Sequence, residues 1–334
     1  MVSTTGIGDT LMGTPALRAL RESFPESRIH LLVNSRRKDL VAGNPHVDRI
    51  LEYRNNSLFG ALLFFKTLPF YYDTVLVFHV NDLWKILRNV RYGVCLNRQG
   101  YRDPERKVIP VDQLPKHSVQ KRLALVERAG GKRPEDYRYD ITLSQEHTRW
   151  AQKKMAEWGM EPGERLVGMQ IGAADGYKCW PLESFADVAR YLQKKYQVKI
   201  YLNASPGEKD IIKTFASRMG GKGVYHYASD SLLRSAALIQ ACSLFISNDT
   251  GPLHMALGLK VPLVGLFCPT DAEVTGPLGH PRAVSIQKAI PCNPCRVREC
   301  VDNFCMRQIS VEEVCLAADR MLAQGSPSAE RNVM

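Results

Sequence analysis

The sequence predicts an α/β protein made of two Rossmann-like halves, and three observations carry that reading. Short apolar runs alternate with segments that are apolar at three- and four-residue spacing along nearly the whole chain. At 334 residues the chain exceeds what one hydrophobic core usually supports, so two domains of roughly 150 residues each are expected. A polar stretch, "SQEHTRWAQKKMAEWGMEPGER" (144 to 165), interrupts the alternation and places the boundary near residue 155. The expected units are therefore 1–155, 156–325 with a last helix closing the fold, and a polar tail over 326–334.

The first half opens on "TTGIGDTLMGTPALRALRESFP". Gly6 and Gly8 surround a short loop, and Thr14 followed by Pro15 reads as the N-cap and first residue of a helix. Asp9 then sits at a strand–loop–helix junction, where it is either a general base or a helix-start carboxylate; spacing alone does not choose. Strands are expected at "IHLLV" (29 to 33) and "TVLVF" (74 to 78). Between them "LFGALLFFKTLPFYY" (58 to 72) carries Lys66 and Pro69 and falls short of the roughly 20 residues of a membrane span.

Charge is unevenly placed. The net value is +11, and from Lys85 to Arg138 there are 14 Lys and Arg against 6 Asp and Glu. Such a window reads either as a site for an anionic partner or as a solvated basic face. No aromatic interleaving supports base stacking, so nucleic acid is not the expected partner.

In the second half strands are expected at "LVGMQI", "KIYLNA", "LFIS" and "VPLVGLF", with helices at "SFADVARYLQKKY", "GEKDIIKTFASRM" and "SLLRSAALIQAC". In open parallel sheets ligands bind beyond the carboxyl ends of the strands, which predicts a cleft between the halves. Four strand ends carry unusual chemistry. After the first, "GAADGYKCWP" offers the small residues Gly172 and Ala173 for close approach, and Lys178 as a phosphate counter-charge or plain surface charge. After the second, Glu208 in "NASPGEKD" either takes ribose hydroxyls or caps the next helix.

The third, "SNDTGPLH", contributes Asp249, Thr250, Gly251, Pro252 and His254 at a helix start, where free N–H groups and the positive dipole end favour an anion. The competing reading is that Asp249 or Thr250 only caps the helix, and that His254 is a hydrogen-bonded structural residue. The fourth, "CPTDAEVTGP", repeats Thr, Asp and Gly at the adjacent strand and brings in Thr270. Two such neighbours suit a diphosphate better than a single phosphate. A closing helix follows at "SVEEVCLAADRMLAQ" with a Ser310/Glu313 capping box.

The N-terminus has neither a basic n-region nor an apolar h-region, so a cytoplasmic protein is expected, with its nine cysteines as thiols or metal ligands. "CNPCRVRECVDNFC" spaces Cys292, Cys295, Cys300 and Cys305 as C-x2-C-x4-C-x4-C. Four thiolates so placed can enclose a structural zinc or iron; the alternative is reduced thiols in a compact loop. Cys95, Cys179, Cys242, Cys268 and Cys315 read as packing residues.

Taken together, "TTGIGDTLMGTPALRALRESFP", "HSVQKRLALVERAG", "GAADGYKCWP", "SNDTGPLHMALGLKVPLVGLFCPTD" and "PCNPCRVRECVDNFCMRQISVEEV" resemble glycosyltransferase family nine, the ADP-heptose:lipopolysaccharide heptosyltransferases. The resemblance runs in order to about residue 315. It implies a GT-B fold with an N-terminal acceptor domain and a C-terminal nucleotide-sugar domain. It further implies an inverting transfer of heptose from ADP-heptose to a lipopolysaccharide core or similar glycan, with no cofactor required for catalysis.

Residue by residue, the resemblance gives Asp9 as base and Lys178 at the donor diphosphate. Asp249, Thr250, Gly251 and His254 form the nucleotide-sugar site, and Glu208 holds the ribose. Another nucleotide sugar as donor, or a non-catalytic nucleotide-sugar-binding protein, are the alternatives. The family pattern has a hydrophobic first strand before "GIGD", where this sequence has only "MVSTT". A lipid-linked acceptor would suit peripheral contact with the inner leaflet through segment 58 to 72 and the basic window; burial of that segment as a core helix is the other reading.

Overall fold

Two parallel sheets of six strands organise the protein, one in each of two units, Met1–Thr142 and Leu143–Met334. The computed structural model describes residues 1–3, 5–54, 71–78, 90–96, 108–111, 114–221, 223–228, 231–290, 292, 295, 300 and 303–323, with the backbone alone at 90–96 and 108–111.

The first unit comprises β1 (Val2–Ser3), α1 (Ile7–Met12), α2 (Thr14–Ser23), β2 (His30–Asn34), β3 (Arg49–Tyr53), β4 (Tyr72–Val77), β5 (Val90–Leu96), β6 (Val108–Val111) and α3 (Ser118–Arg128). Its sheet runs β3-β2-β1-β4-β5-β6. The short "MVSTT" supplies a central strand nonetheless, with Val2 paired in parallel to both Leu32 and Val77.

The second unit comprises α4 (Gln145–Glu157), β7 (Leu166–Gln170), α5 (Leu182–Tyr196), β8 (Lys199–Ala204), α6 (Lys209–Arg218), β9 (Val224–Ala228), α7 (Leu232–Gln240), β10 (Leu244–Asn248), α8 (Gly251–Gly258), β11 (Leu263–Phe267), α9 (Ala272–Thr275), β12 (Ala283–Gln287), α10 (Phe304–Arg307) and α11 (Val311–Ala323). Its sheet runs β12-β11-β10-β7-β8-β9, the same winding as the first. In both, the chain reverses direction across the sheet between the first and fourth strands, β1 and β4 or β7 and β10. That switch point is where a doubly wound sheet leaves a crevice at its carboxyl edge.

The strands follow from sequence. β7, β10 and β11 are buried at every position, as their continuous apolar runs require of strands covered on both faces. A single core gathers Met169, Phe185, Ile200, Phe215, Ile246, Leu266 and Met306 from sheet and helices. In the first unit Leu17, Ile29, Leu31, Val33 and Val41 pack together.

Two sequence expectations meet a different outcome. The polar connection expected to hold the boundary near 155 is a helix, α4, and it goes with the second unit. Trp150 packs on Tyr227 with ring centroids 5.0 Å apart, and Trp158 stacks on Tyr225 at 5.2 Å and 8°, so the aromatic side chains fasten the segment to β9. Thr14, expected as an N-cap, is the first residue of α2 behind Gly13. Its hydroxyl instead donates to the Leu11 carbonyl at 2.7 Å and accepts the Asp140 N–H at 2.8 Å.

The closing helix keeps its expected box: the Ser310 N–H donates to Glu313 Oε2 at 2.9 Å and the Glu313 N–H to Ser310 Oγ at 3.2 Å. Among the described residues no helix is long and apolar enough to cross a membrane. Most of segment 58 to 72 and the polar tail 326–334 lie outside the described residues.

Candidate active site

In the first unit the chemistry gathers where β1 ends. The chain leaves Ser3 and enters α1 behind an extended Gly6, which puts Asp9 in the first turn of the helix. Its carboxylate is held from two sides. Thr5 Oγ1 donates to Oδ2 at 2.7 Å, and Arg122 Nη2, from the first turns of α3, donates to Oδ1 at 2.8 Å. Arg122 is 4% exposed at its side chain and Asp9 is 36% exposed, so a buried cation backs a partly exposed carboxylate. Arg122 also donates to the Ser118 carbonyl at 2.9 Å and lies over the Phe78 ring at 5.6 Å. Burial lowers the Arg122 guanidinium from its ordinary value, and the Asp9 charge works against that. His117 caps α3 by accepting the Val119 N–H at Nδ1.

In the second unit the carboxyl ends of β11, β10, β7 and β8 lie side by side in the sheet, so all four expected loops share one edge. After β10, Thr250 stands at the N-cap of α8 but its side chain makes no capping hydrogen bond. The hydroxyl turns back to the Asn248 carbonyl at 3.3 Å. α8 shares this uncapped start with α1, α2, α5, α6 and α10, whereas α3, α4, α7 and α9 are each closed by a cap side chain, from His117, Ser144, Ser231 and Asp271. Capping is therefore not what Thr250 does, and the first amides of α8 keep their capacity for an anion. Pro252 in the first turn suits the helix start. Asp249 and His254 are both buried, with His254 Nε2 3.9 Å from Asp249 Oδ1.

After β7, Lys178 closes a short 3-10 turn, Gly176–Lys178. Its ammonium is 3.5 Å from Asp175 Oδ2, to which the Tyr177 hydroxyl also donates. Gly172 meets Glu208 from the neighbouring β8 loop: a Cβ on Gly172 would fall 1.7 Å from Glu208 Oε1. Oε2 of the same carboxylate completes a capping box, accepting the Ser205 N–H at 2.6 Å and its hydroxyl at 2.8 Å. Oε2 thus caps, one of the two readings of Glu208, and Oε1 lies over the Gly172 backbone. The Cys179 thiol is pushed up by burial, with a backbone hydrogen bond from Ala173 acting the other way. Thr270, beyond β11, has a buried hydroxyl with no hydrogen-bond partner among the described residues.

Sequence reasoning missed the groups that hold these loops in place. Asn248, the last residue of β10, donates from Nδ2 to the carbonyls of Ile171 and Gln170 at 3.1 and 3.3 Å and accepts the Trp180 N–H at 3.0 Å. Beneath it a buried chain runs from the Tyr201 hydroxyl to Asn203 Oδ1 (2.9 Å), from Asn203 Nδ2 to Gln170 Oε1 (2.6 Å), and from Gln170 Nε2 to the Gly172 carbonyl (3.1 Å). These links join β8 and β7 to the backbone of the Gly172 loop. The signal for Asn248 lies in "SNDTG" itself; Arg122 has no local signal, since its partner is 113 positions away.

Among the described residues no three of His, Cys, Asp and Glu are grouped closely enough to hold a metal ion. Cys292 is exposed, whereas Cys305 is buried in the core. Burial first, then neighbouring Cys268, pushes the Cys305 thiol up to about 11, and Cys292 and Cys295 act on it in the same direction. Cys268 is a buried residue, as expected, and accepts the Lys288 N–H at 3.5 Å.

Comparison with known proteins follows the same lines. Residues 98–304 match the sequence pattern of "Glycosyltransferase family 9 (heptosyltransferase)". The chain is 25% identical to lipopolysaccharide heptosyltransferase 3 of Escherichia coli K12, over 97% of this chain and 98% of that protein. Among solved structures, a glycosyl transferase family 9 protein from Veillonella parvula superposes with a TM-score of 0.82 at 22% identity, covering 97% of both chains. The E. coli ADP-heptose lps heptosyltransferase II superposes at 0.73 and 18% identity, covering 97% of this chain and 98% of that one.

Proposed function

The chain belongs to glycosyltransferase family 9, and from that premise we propose that it transfers a heptose from ADP-heptose to a hydroxyl of a lipopolysaccharide core. The relatives' own names supply the donor and acceptor class. Asp9 takes the proton of the acceptor hydroxyl, whose oxygen attacks the anomeric carbon from the face opposite the departing ADP. A positioned base of this kind typically contributes about 10² to 10⁴-fold. The charge that develops on the leaving diphosphate is met by Lys178 and by the first amides of α8 at Thr250 and Gly251, which need no reorganisation as the bond breaks. Glu208 takes the ribose hydroxyls, while Gly172 and Ala173 admit the nucleotide close to the backbone. Asp249, Pro252, His254 and Thr270 shape the diphosphate end of the site.

The observation that carries this reading is the start of α8: a helix with no cap side chain at the switch point of its sheet, on the same edge as the Lys178 turn. The experiment is to incubate the purified protein with a panel of nucleotide sugars and follow nucleotide release. Release with ADP-heptose and a suitable acceptor, abolished in D9N while ADP still binds with native affinity, is expected. Full activity in D9N removes Asp9 from the role.

We also propose peripheral contact with an anionic membrane surface, supported by the excess of Lys and Arg from 85 to 138. Arg88 lies outside the described residues, and Arg91 is described only by its place in β5. Charge reversal at both positions should abolish binding to vesicles rich in anionic lipid. Undiminished binding would dispose of the idea.

A further inference from the structure

The two oxygens of Asp9 are not equivalent. Oδ1 is tied to a buried guanidinium that cannot easily move: Arg122 is fixed by its bond to the Ser118 carbonyl one turn back and by the Phe78 ring over which it lies. Its Nε–H has no partner among the described residues, so the bonds through Nη1 and Nη2 carry the anchoring. Oδ2 faces the other way and takes the hydroxyl of Thr5, an exposed residue on the loop before α1. An alcohol donating to a carboxylate at 2.7 Å is the arrangement a sugar hydroxyl adopts just before it gives up its proton.

We infer that Arg122 is a positioning residue that locks Asp9 through Oδ1, leaving Oδ2 as the atom that receives the acceptor proton, and that the Thr5 hydroxyl stands where the acceptor hydroxyl docks. This rests on the reading of Asp9 as the base. The acceptor O–H bond breaks and its proton goes to Oδ2. The oxygen lone pair forms the new bond to the anomeric carbon, and the electron pair of the old sugar–phosphate bond leaves on ADP. Arg122 touches none of the reacting atoms. A guanidinium serves here because it is always charged and can hold the Ser118 carbonyl with one nitrogen while another holds Oδ1. Besides Asp9, the titratable group acting on Arg122 among the described residues is the Tyr139 hydroxyl.

The test is steady-state kinetics of R122M, R122K and T5V with D9N alongside, all checked for folding and for ADP affinity. R122M should lower kcat by about 10²-fold while the acceptor KM stays within about twofold, because a base swung out of line costs turnover rather than binding. R122K, which keeps the charge and a donor for Oδ1 but loses the second nitrogen's hold on the Ser118 carbonyl, should recover part of the loss. T5V should lower the acceptor KM, since the Thr5 hydroxyl then no longer competes for Oδ2. In a D9N background R122M should add nothing, as expected of two residues acting as a unit.

A folded R122M with native kcat and a raised acceptor KM overturns the inference and makes Arg122 a substrate contact. Should R122M fail to fold, R122K alone decides, and an unchanged kcat overturns it. Activity surviving in D9N is a separate result that defeats the base assignment itself.

Discussion

The Asn248 side chain grips the Trp180 backbone, its Oδ1 accepting the Trp180 N–H at 3.0 Å. With Nδ2 on the carbonyls of Gln170 and Ile171, one amide ties the end of β10 to both ends of the loop that carries Gly172, Ala173 and Lys178. Replacing Asn248 with Ala abandons buried backbone groups at about 1–3 kcal/mol each. Asn248→Asp is expected to be worse, because a carboxylate would face two carbonyl oxygens. Calorimetric unfolding of both variants should show Tm falling in that order, with ADP affinity falling in parallel. A native Tm in Asn248→Asp would show that the loop does not depend on this grip.

The contact between Gly172 and Glu208 makes a second prediction. An alanine methyl at 172 would lie 1.7 Å from Glu208 Oε1, so the carboxylate must swing away, and Oε2 would leave Ser205 with it. Loss of a capping interaction costs about 0.5–2 kcal/mol. The larger effect is expected on nucleotide binding, where Gly172→Ala should weaken ADP at least as much as Glu208→Ala does. The double variant should be no worse than either alone, since both act through the same carboxylate. Titration calorimetry of the three proteins checks this, and additive losses would mean the two positions act separately.

How much of this was legible in the sequence depended on burial and on distance along the chain. "LVGMQI", "LFIS" and "VPLVGLF" announce central strands because both faces are covered and every residue is apolar. β9 ("VYHYA") and β12 ("AVSIQ") went unread since they are half-buried edges whose mixed composition resembles a loop. The loops at the strand ends declared themselves through Thr, Asp and Gly, but their support did not. Arg122 and Asp9 meet only after α3 has returned to β1, and Asn203 reaches Gln170 across 33 positions. The Trp150 and Trp158 contacts that move the unit boundary also depend on a strand some 70 residues later.

Acid stability should trace to Asp319 on α11. Burial pushes this carboxyl up, but hydrogen bonds from Lys195, Tyr191 and Tyr196 of α5 outweigh it and leave the group below its ordinary value. A carboxyl with a depressed folded pKa contributes stability above its unfolded value and loses it as pH falls through the folded one. Asp319→Asn should therefore destabilise the protein at neutral pH and flatten the decline of Tm in acid. Parallel Tm curves for the two proteins across that range would show that α11 is held by packing alone.

Nucleotide binding offers the most direct test of the second unit. A ligand at about 100 times its Kd adds roughly 2.7 kcal/mol to the folded state. For a unit of this size that raises Tm by several degrees, at about 2–4 °C per kcal/mol. ADP should produce such a shift, and UDP and GDP should not, if the nucleotide is read beyond its diphosphate. Lys178→Met should reduce the ADP shift without altering Tm in its absence, because the Lys178 ammonium is 3.5 Å from Asp175 and contributes little to the fold. Equal shifts from all three nucleotides would mean that the site recognises only the diphosphate, and an ADP shift unaltered by Lys178→Met would take Lys178 out of it.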